Sequence, residues 1–158
     1  MTQPEHEHAS IADLAALREA AYRLLASFFL YPDDAEVAAA RDAASRLERE
    51  AHWAADFTFH GPWKRFLRLV LALEGPAVSE LQGRYLALFS GTTGEAPIPL
   101  CESGFLDRSA FDDGRVFASL QTHYASAGVA PASEGGETPD HIAVELEFLS
   151  LLCGREAD

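Results

Sequence analysis

Basic residues are scarce in this chain. Lysine and arginine number 12 against 25 aspartates and glutamates, which leaves a net charge of −13 and a pI near 4.7. Phosphate backbones and anionic membranes are held by clustered lysine and arginine, so a general nucleic-acid or anionic-membrane binder is excluded. An acidic surface favours basic partners instead, among them peptides carrying arginines. Cysteine is scarce too. Cys101 and Cys153 form no CxxC pair and no metal-ligand spacing, and a reducing cytoplasm is the expected setting. No apolar run approaches the roughly 20 residues that cross a bilayer. Met1 to Ser10 contains no lysine or arginine, which does not fit a secretory signal. Also missing are GxSxG, HExxH and a glycine-rich phosphate loop ending in Lys-Ser/Thr. No internal repeat, heptad array or strand-like alternation occurs.

What remains is a globular composition of 48% hydrophobic and 23% charged residues over 158 positions, enough for one domain with a real core. Apolar residues recur at helical spacing, so the expected class is all-α: a single-domain helical bundle spanning 1–158, with 1–9 disordered and His6 and His8 part of a frayed end. Ser10 and Asp13 resemble a capping box ahead of a helix running to about Leu30. Tyr31 to Asp34 breaks it. Strong helix formers from Asp34 to Ala51 carry a thin stripe of Val37, Ala40, Ala44 and Leu47, the pattern of a helix on the bundle surface. Trp53 to His60 reads as a connection. Gly61-Pro62 opens a third helix whose buried face is Trp63, Phe66, Leu67, Val70 and Leu71. Gly75-Pro76 closes it, and Val78, Leu81, Tyr85, Leu88 and Phe89 mark a fourth. Ser90 to Pro99 is a loop, Asp107 to about Ala125 a fifth helix weakened at Gly114, and Ala127 to Gly136 another connection.

The most informative stretch is 134–153. Gly135-Gly136 breaks the chain, Thr138 stands where an N-cap belongs, and Pro139 suits the first helical position. Asp140 and His141 then fall in the first turn, beside backbone N–H groups without intrahelical partners. An apolar helix follows to Cys153, with Gly154 placed to stop it.

His141 and Glu145 are four apart on one helix face, with Asp140 and Glu137 close by. A small helical metal-dependent hydrolase using His141, Glu145 and Asp140 is therefore the rival function. Only one histidine is present there, and carboxylates on a helix face are usually solvated. Glu145 and Glu147 lie two apart, so one should face solvent and the other a neighbouring helix. The aromatic set Tyr22, Phe28, Phe29, Trp63, Phe66, Tyr85 and Phe89 packs a core or lines a groove for a peptide, and spacing does not separate the two.

Three motifs in order resemble one family. Pro139-Asp140-His141 with the following Glu-Leu-Glu-Phe, Tyr85-Leu86-Ala87-Leu88-Phe89, and Pro97-Ile98-Pro99-Leu100-Cys101-Glu102-Ser103 are similar to signatures of the TorD/DmsD redox-enzyme maturation chaperones. The resemblance runs over nearly the whole chain. It implies an all-helical, cytoplasmic protein without catalytic turnover. Such a protein binds the twin-arginine signal peptide or another part of a molybdenum-cofactor oxidoreductase, assists cofactor insertion, and releases it for assembly or export. Some members of that family bind a guanine nucleotide weakly, and the resemblance implies no other cofactor.

The resemblance also implies sites. Asp140 and His141, with geometry set by Pro139, belong to the peptide-binding region. Glu137, Glu102 and Ser103 belong to the loops around it, and Tyr85 and Phe89 to an apolar wall. Carboxylates beside aromatics complement two arginines next to an apolar run. Asp140 has a structural alternative, since a carboxylate at a helix start stabilises that helix. His141 reads as functional, because a cap does not need it. The expected fold lacks the family's C-terminal helices, and the uncovered apolar face of 142–153 then favours a homodimer.

Overall fold

A computed structural model describes residues 10–50, 58–91, 97–105, 113–130 and 136–157. Among them are six α-helices: α1 Ile11–Ser27, α2 Asp34–Arg49, α3 His60–Leu71, α4 Pro76–Phe89, α5 Asp113–Ser126 and α6 Ile142–Ala157. A 3-10 turn covers Glu102–Phe105, and the described residues contain no strand, only an isolated antiparallel bridge between Cys101 and His141. The class is all-α, as the spacing of apolar residues requires.

Local chemistry sets the starts of the helices. The Asp13 amide donates to Ser10 Oγ at 3.1 Å while the Ser10 amide donates to Asp13 Oδ2 at 2.9 Å, a complete capping box. Asp33 caps α2 by accepting from the Glu36 amide at 2.8 Å. Acidic Asp34 and Glu36 sit in its first turn and Arg46 and Arg49 in its last, in the sense the helix dipole favours. Gly75 takes a positive φ of 47° so that Pro76 can begin α4. The first helix ends three residues before the expected Leu30. The Trp53 end of the expected connection, the Asp107–Asp112 start expected for α5, and residues 1–9 lie outside the described residues.

The core joins α1, α2 and α3 through Leu17, Leu24, Ala44, Leu47, Trp63 and Leu67, with Val37 and Ala40 of the α2 stripe also buried. Phe28 and Phe66 close its edge with rings 5.4 Å apart in a T-shaped contact. The most extensive packing, however, is of α1 along α6. Ser150 Oγ donates to the Glu19 carbonyl at 3.0 Å and Arg18 meets Glu156 at 2.5 Å, whereas Leu30 after α1 lines the same cavity as Val144 near the start of α6. The two helices are therefore antiparallel.

That packing corrects one expectation. Gly154 does not stop α6, which continues to Ala157. A Cβ at Gly154 would stand 3.2 Å from the Glu19 carboxylate, so this glycine lies within the α1–α6 contact rather than past the helix end. The fourth helix also differs from its pattern. Of its marked residues only Val78 is buried, and Leu88 is 49% exposed. α4 is held instead by polar ties to the turn after α1, Gln82 Nε2 donating to the Pro32 carbonyl at 2.9 Å and Tyr85 Oη to the Phe29 carbonyl at 3.0 Å.

Candidate functional site

Residues 136–142 bind three parts of the molecule into one corner. Thr138 to His141 is a reverse turn, closed by the His141 amide donating to the Thr138 carbonyl at 2.9 Å, with Pro139 presetting its second position. The loop after α4 is laced to this turn from both sides. The Ile142 amide donates to the Leu100 carbonyl at 2.8 Å, and the Glu102 amide to the Asp140 carbonyl at 2.9 Å. From α5, Tyr124 Oη donates to the Pro139 carbonyl at 2.7 Å. Gly104 lets the loop fold so tightly, because a Cβ there would lie 2.4 Å from Pro99 Cβ.

Asp140 is the centre of the corner and is 0% exposed. Its Oδ1 accepts from the Thr138 hydroxyl at 2.7 Å, and its Oδ2 from the Ser103 amide at 3.1 Å. Burial alone would raise its pKa, but the hydrogen bonds from Ser103 and Thr138 outweigh it and hold the carboxyl below the usual range. With both oxygens committed and no accessible surface, Asp140 has nothing to offer a ligand. Of its two readings, the geometry supports the structural one.

His141 is likewise sealed, at 4% exposure. It is the N-cap of α6: its carbonyl accepts from the Glu145 amide at 3.1 Å and its Nδ1 from the Ala143 amide at 3.2 Å. Thr138 and Pro139 therefore lie outside the helix, not at its N-cap and first position. The inference that a cap does not need His141 is corrected, because the imidazole is the cap. Its other nitrogen, Nε2, points to Glu137 Oε2 at 3.9 Å.

The accessible groups surround this pair. The Glu137 side chain is 53% exposed, Glu102 is exposed and Ser103 is half-buried. Tyr85 and Phe89 are half-buried, their rings 5.0 Å apart. Burial raises the Tyr85 pKa and the charge of Glu137 raises it further, so this carboxylate stands near the aromatic wall. Glu145 is half-buried and Glu147 exposed, the division the two-residue spacing demands. Tyr124 is pushed up to about 12 by burial and by the charges of Glu145, Asp140 and Glu102.

The set His141, Glu145 and Asp140 is not arranged as metal ligands. Asp140 is saturated by protein donors and His141 Nδ1 by a backbone amide. Among the described residues no three His, Cys, Asp or Glu side chains are grouped to hold a metal ion. Glu145 instead carries a strain of charge: burial, Glu102 and Asp140 all raise its pKa. A group whose folded pKa is raised becomes a liability as pH climbs through that value. Glu145→Gln is expected to raise Tm by about 1–3 °C at pH 7 and to bring no gain at pH 4 or below. Thermal melts at both pH values check this, and a gain that persists in acid would refute it.

Concavities of two sizes adjoin the helices among the described residues. The larger, about 900 Å³ between α1 and α2, is floored by alanines and holds none of the residues the motifs single out. The smaller, about 450 Å³, lies between the end of α5 and the start of α6, and Glu137 stands on its rim. Sequence spacing did not reveal it, since Leu30, Val129 and Glu147 come from three distant segments.

The pattern of the nitrate reductase delta subunit family matches residues 12–158. The chain belongs to that family. It is a family of redox-enzyme maturation chaperones for molybdoenzymes, the TorD-like group that the three motifs resemble. The fold agrees with a crystal structure described as that of a proposed redox enzyme maturation protein from Archaeoglobus fulgidus. The two superpose with a TM-score of 0.61 at 25% sequence identity, over 85% of this chain and 70% of the other. Comparison with curated proteins gave no match. In this family member no helix among the described residues is long and apolar enough to cross a membrane.

Proposed function

We propose that the chain is a cytoplasmic chaperone that binds the precursor of a molybdenum-cofactor oxidoreductase, through its twin-arginine signal peptide or another part of the apoenzyme. It would assist cofactor insertion and then release the client for assembly or export. The observation that carries this reading is the contrast at the corner. Asp140 and His141 are buried and bonded into the turn, Asp140 through both carboxylate oxygens and His141 through Nδ1, while Glu137 and Glu102 stand exposed on the two segments they lock together. Two carboxylates on one base, with the charge of Glu137 felt at Tyr85 and Phe89 packed on that ring, match two cations followed by apolar residues. Asp140 and His141 then act as positioning residues, holding the groups that touch the client.

The test is direct. Glu102→Gln and Glu137→Gln are each expected to weaken a twin-arginine peptide by about threefold, as exposed ion pairs do. Tm should be unchanged and the effect should shrink at high salt. Calorimetric titration of the double variant decides it: wild-type affinity there would remove the corner from the binding surface.

A further inference from the structure

We infer that the cleft between α5 and α6 seats a bulky apolar side chain of the bound peptide, with a neighbouring lysine or arginine held between Glu137 and Glu147. This rests on the chaperone reading above and extends it to residues that the motifs do not include.

The cleft is built by a helix ending. Gly128 takes φ +70° after α5, its amide donates to the Ala125 carbonyl at 2.8 Å, and the Val129 amide donates back to Tyr124 at 3.0 Å. This is a Schellman motif, in which the residue after the glycine folds back against the last turn. Val129 is thereby brought over Tyr124. The Tyr124 ring meets Phe148 of α6 edge-on at 4.8 Å, so one aromatic pair backs the cleft. Leu30, Val144 and Leu151 complete an apolar lining. The volume is at the small end of the roughly 300–1,000 Å³ common for ligand sites, suited to a side chain or two rather than a large cofactor.

Charge selects the occupant. Glu137 and Glu147 are carboxylates on the rim, and no lysine, arginine or histidine lines the cleft among the described residues. An anionic ligand is repelled, and an apolar group with a cation beside it is favoured on both counts. Glu137 belongs to the corner and to the cleft at once. A peptide whose arginines meet Glu137 therefore has its next residues at the cleft mouth. Ala130, exposed at that mouth, is the position from which the cleft can be filled without touching the core.

Two short synthetic peptides test this: one with two arginines followed by phenylalanine and leucine, the other with serine in place of both apolar residues. Ala130→Trp is expected to weaken the first by about tenfold and leave the second unchanged. Glu147→Gln is expected to weaken both by about threefold, with Tm unaltered. If Ala130→Trp and Glu147→Gln bind like wild type while Glu102→Gln and Glu137→Gln lose affinity, the cleft is empty and the corner still binds. If the wild-type protein binds neither peptide, both readings fall.

Discussion

Asp140→Ala is expected to cost about 3–4 kcal/mol of stability and to lower Tm by roughly 10 °C. The loss is not that of one contact. The half-buried Ser103 amide and the Thr138 hydroxyl both lose an acceptor; the exposed hydroxyl can turn to water, but an unsatisfied amide costs about 1–3 kcal/mol and the emptied, fully buried space adds a cavity cost. The pH dependence has a fixed sign. The folded pKa of Asp140 is depressed, so its contribution is present above the unfolded aspartate value of about 3.9 and is lost as pH falls through the folded value. The wild-type protein should therefore weaken in acid below about pH 4, and the variant should lack that part of the decline. Affinity for the twin-arginine peptide should fall together with stability, since Glu102 and Glu137 lose their common anchor. Melts between pH 7 and pH 2, paired with titrations at low temperature, measure both. An unchanged Tm with lost affinity would mean that Asp140 meets the client directly.

Leu67→Ala supplies the contrast. Leu67 is fully buried where α1, α2 and α3 meet, and truncation of such a leucine costs about 3–5 kcal/mol. Its effect should be on stability alone. It lies in the three-helix core rather than among the corner residues, so peptide affinity measured well below Tm should stay within a factor of two of wild type. Denaturant unfolding followed by titration checks it. A parallel loss of affinity would show that the core and the corner do not behave independently.

Much of this architecture could be read from the chain before its shape was known. Ser10 with Asp13 announces a helix start through chemistry that acts within four residues, and the strong helix formers from Asp34 announce another; both starts are where the structure has them. The stripe Val37, Ala40, Ala44 and Leu47 is buried as its spacing indicates. Where local signals point two ways, long-range contacts decide. Thr138 looks like a cap, but its hydroxyl is claimed by Asp140, and the imidazole of His141 takes over that role. Gly154 looks like a stop, but the helix runs through it, packed beside Glu19, 135 positions earlier in the chain. Composition shows that carboxylates abound near residue 140. Which of them is sealed and which is exposed depends on the loop from Pro97 to Phe105 closing over the turn, a pairing no local pattern encodes.

The antiparallel embrace of α1 and α6 has a consequence for biosynthesis. Ser150 reaches Glu19 across 131 positions of chain, and Arg18 reaches Glu156 across 138. As the polypeptide emerges, the first three helices can gather around Leu67 early, while α1 keeps one flank bare until the segment from Ile142 onward has been translated. The acidic corner begins that same late segment. A nascent chain would thus lack the finished acidic corner until nearly all of this sequence has left the ribosome, and under the proposed function half-made copies would not sequester a client.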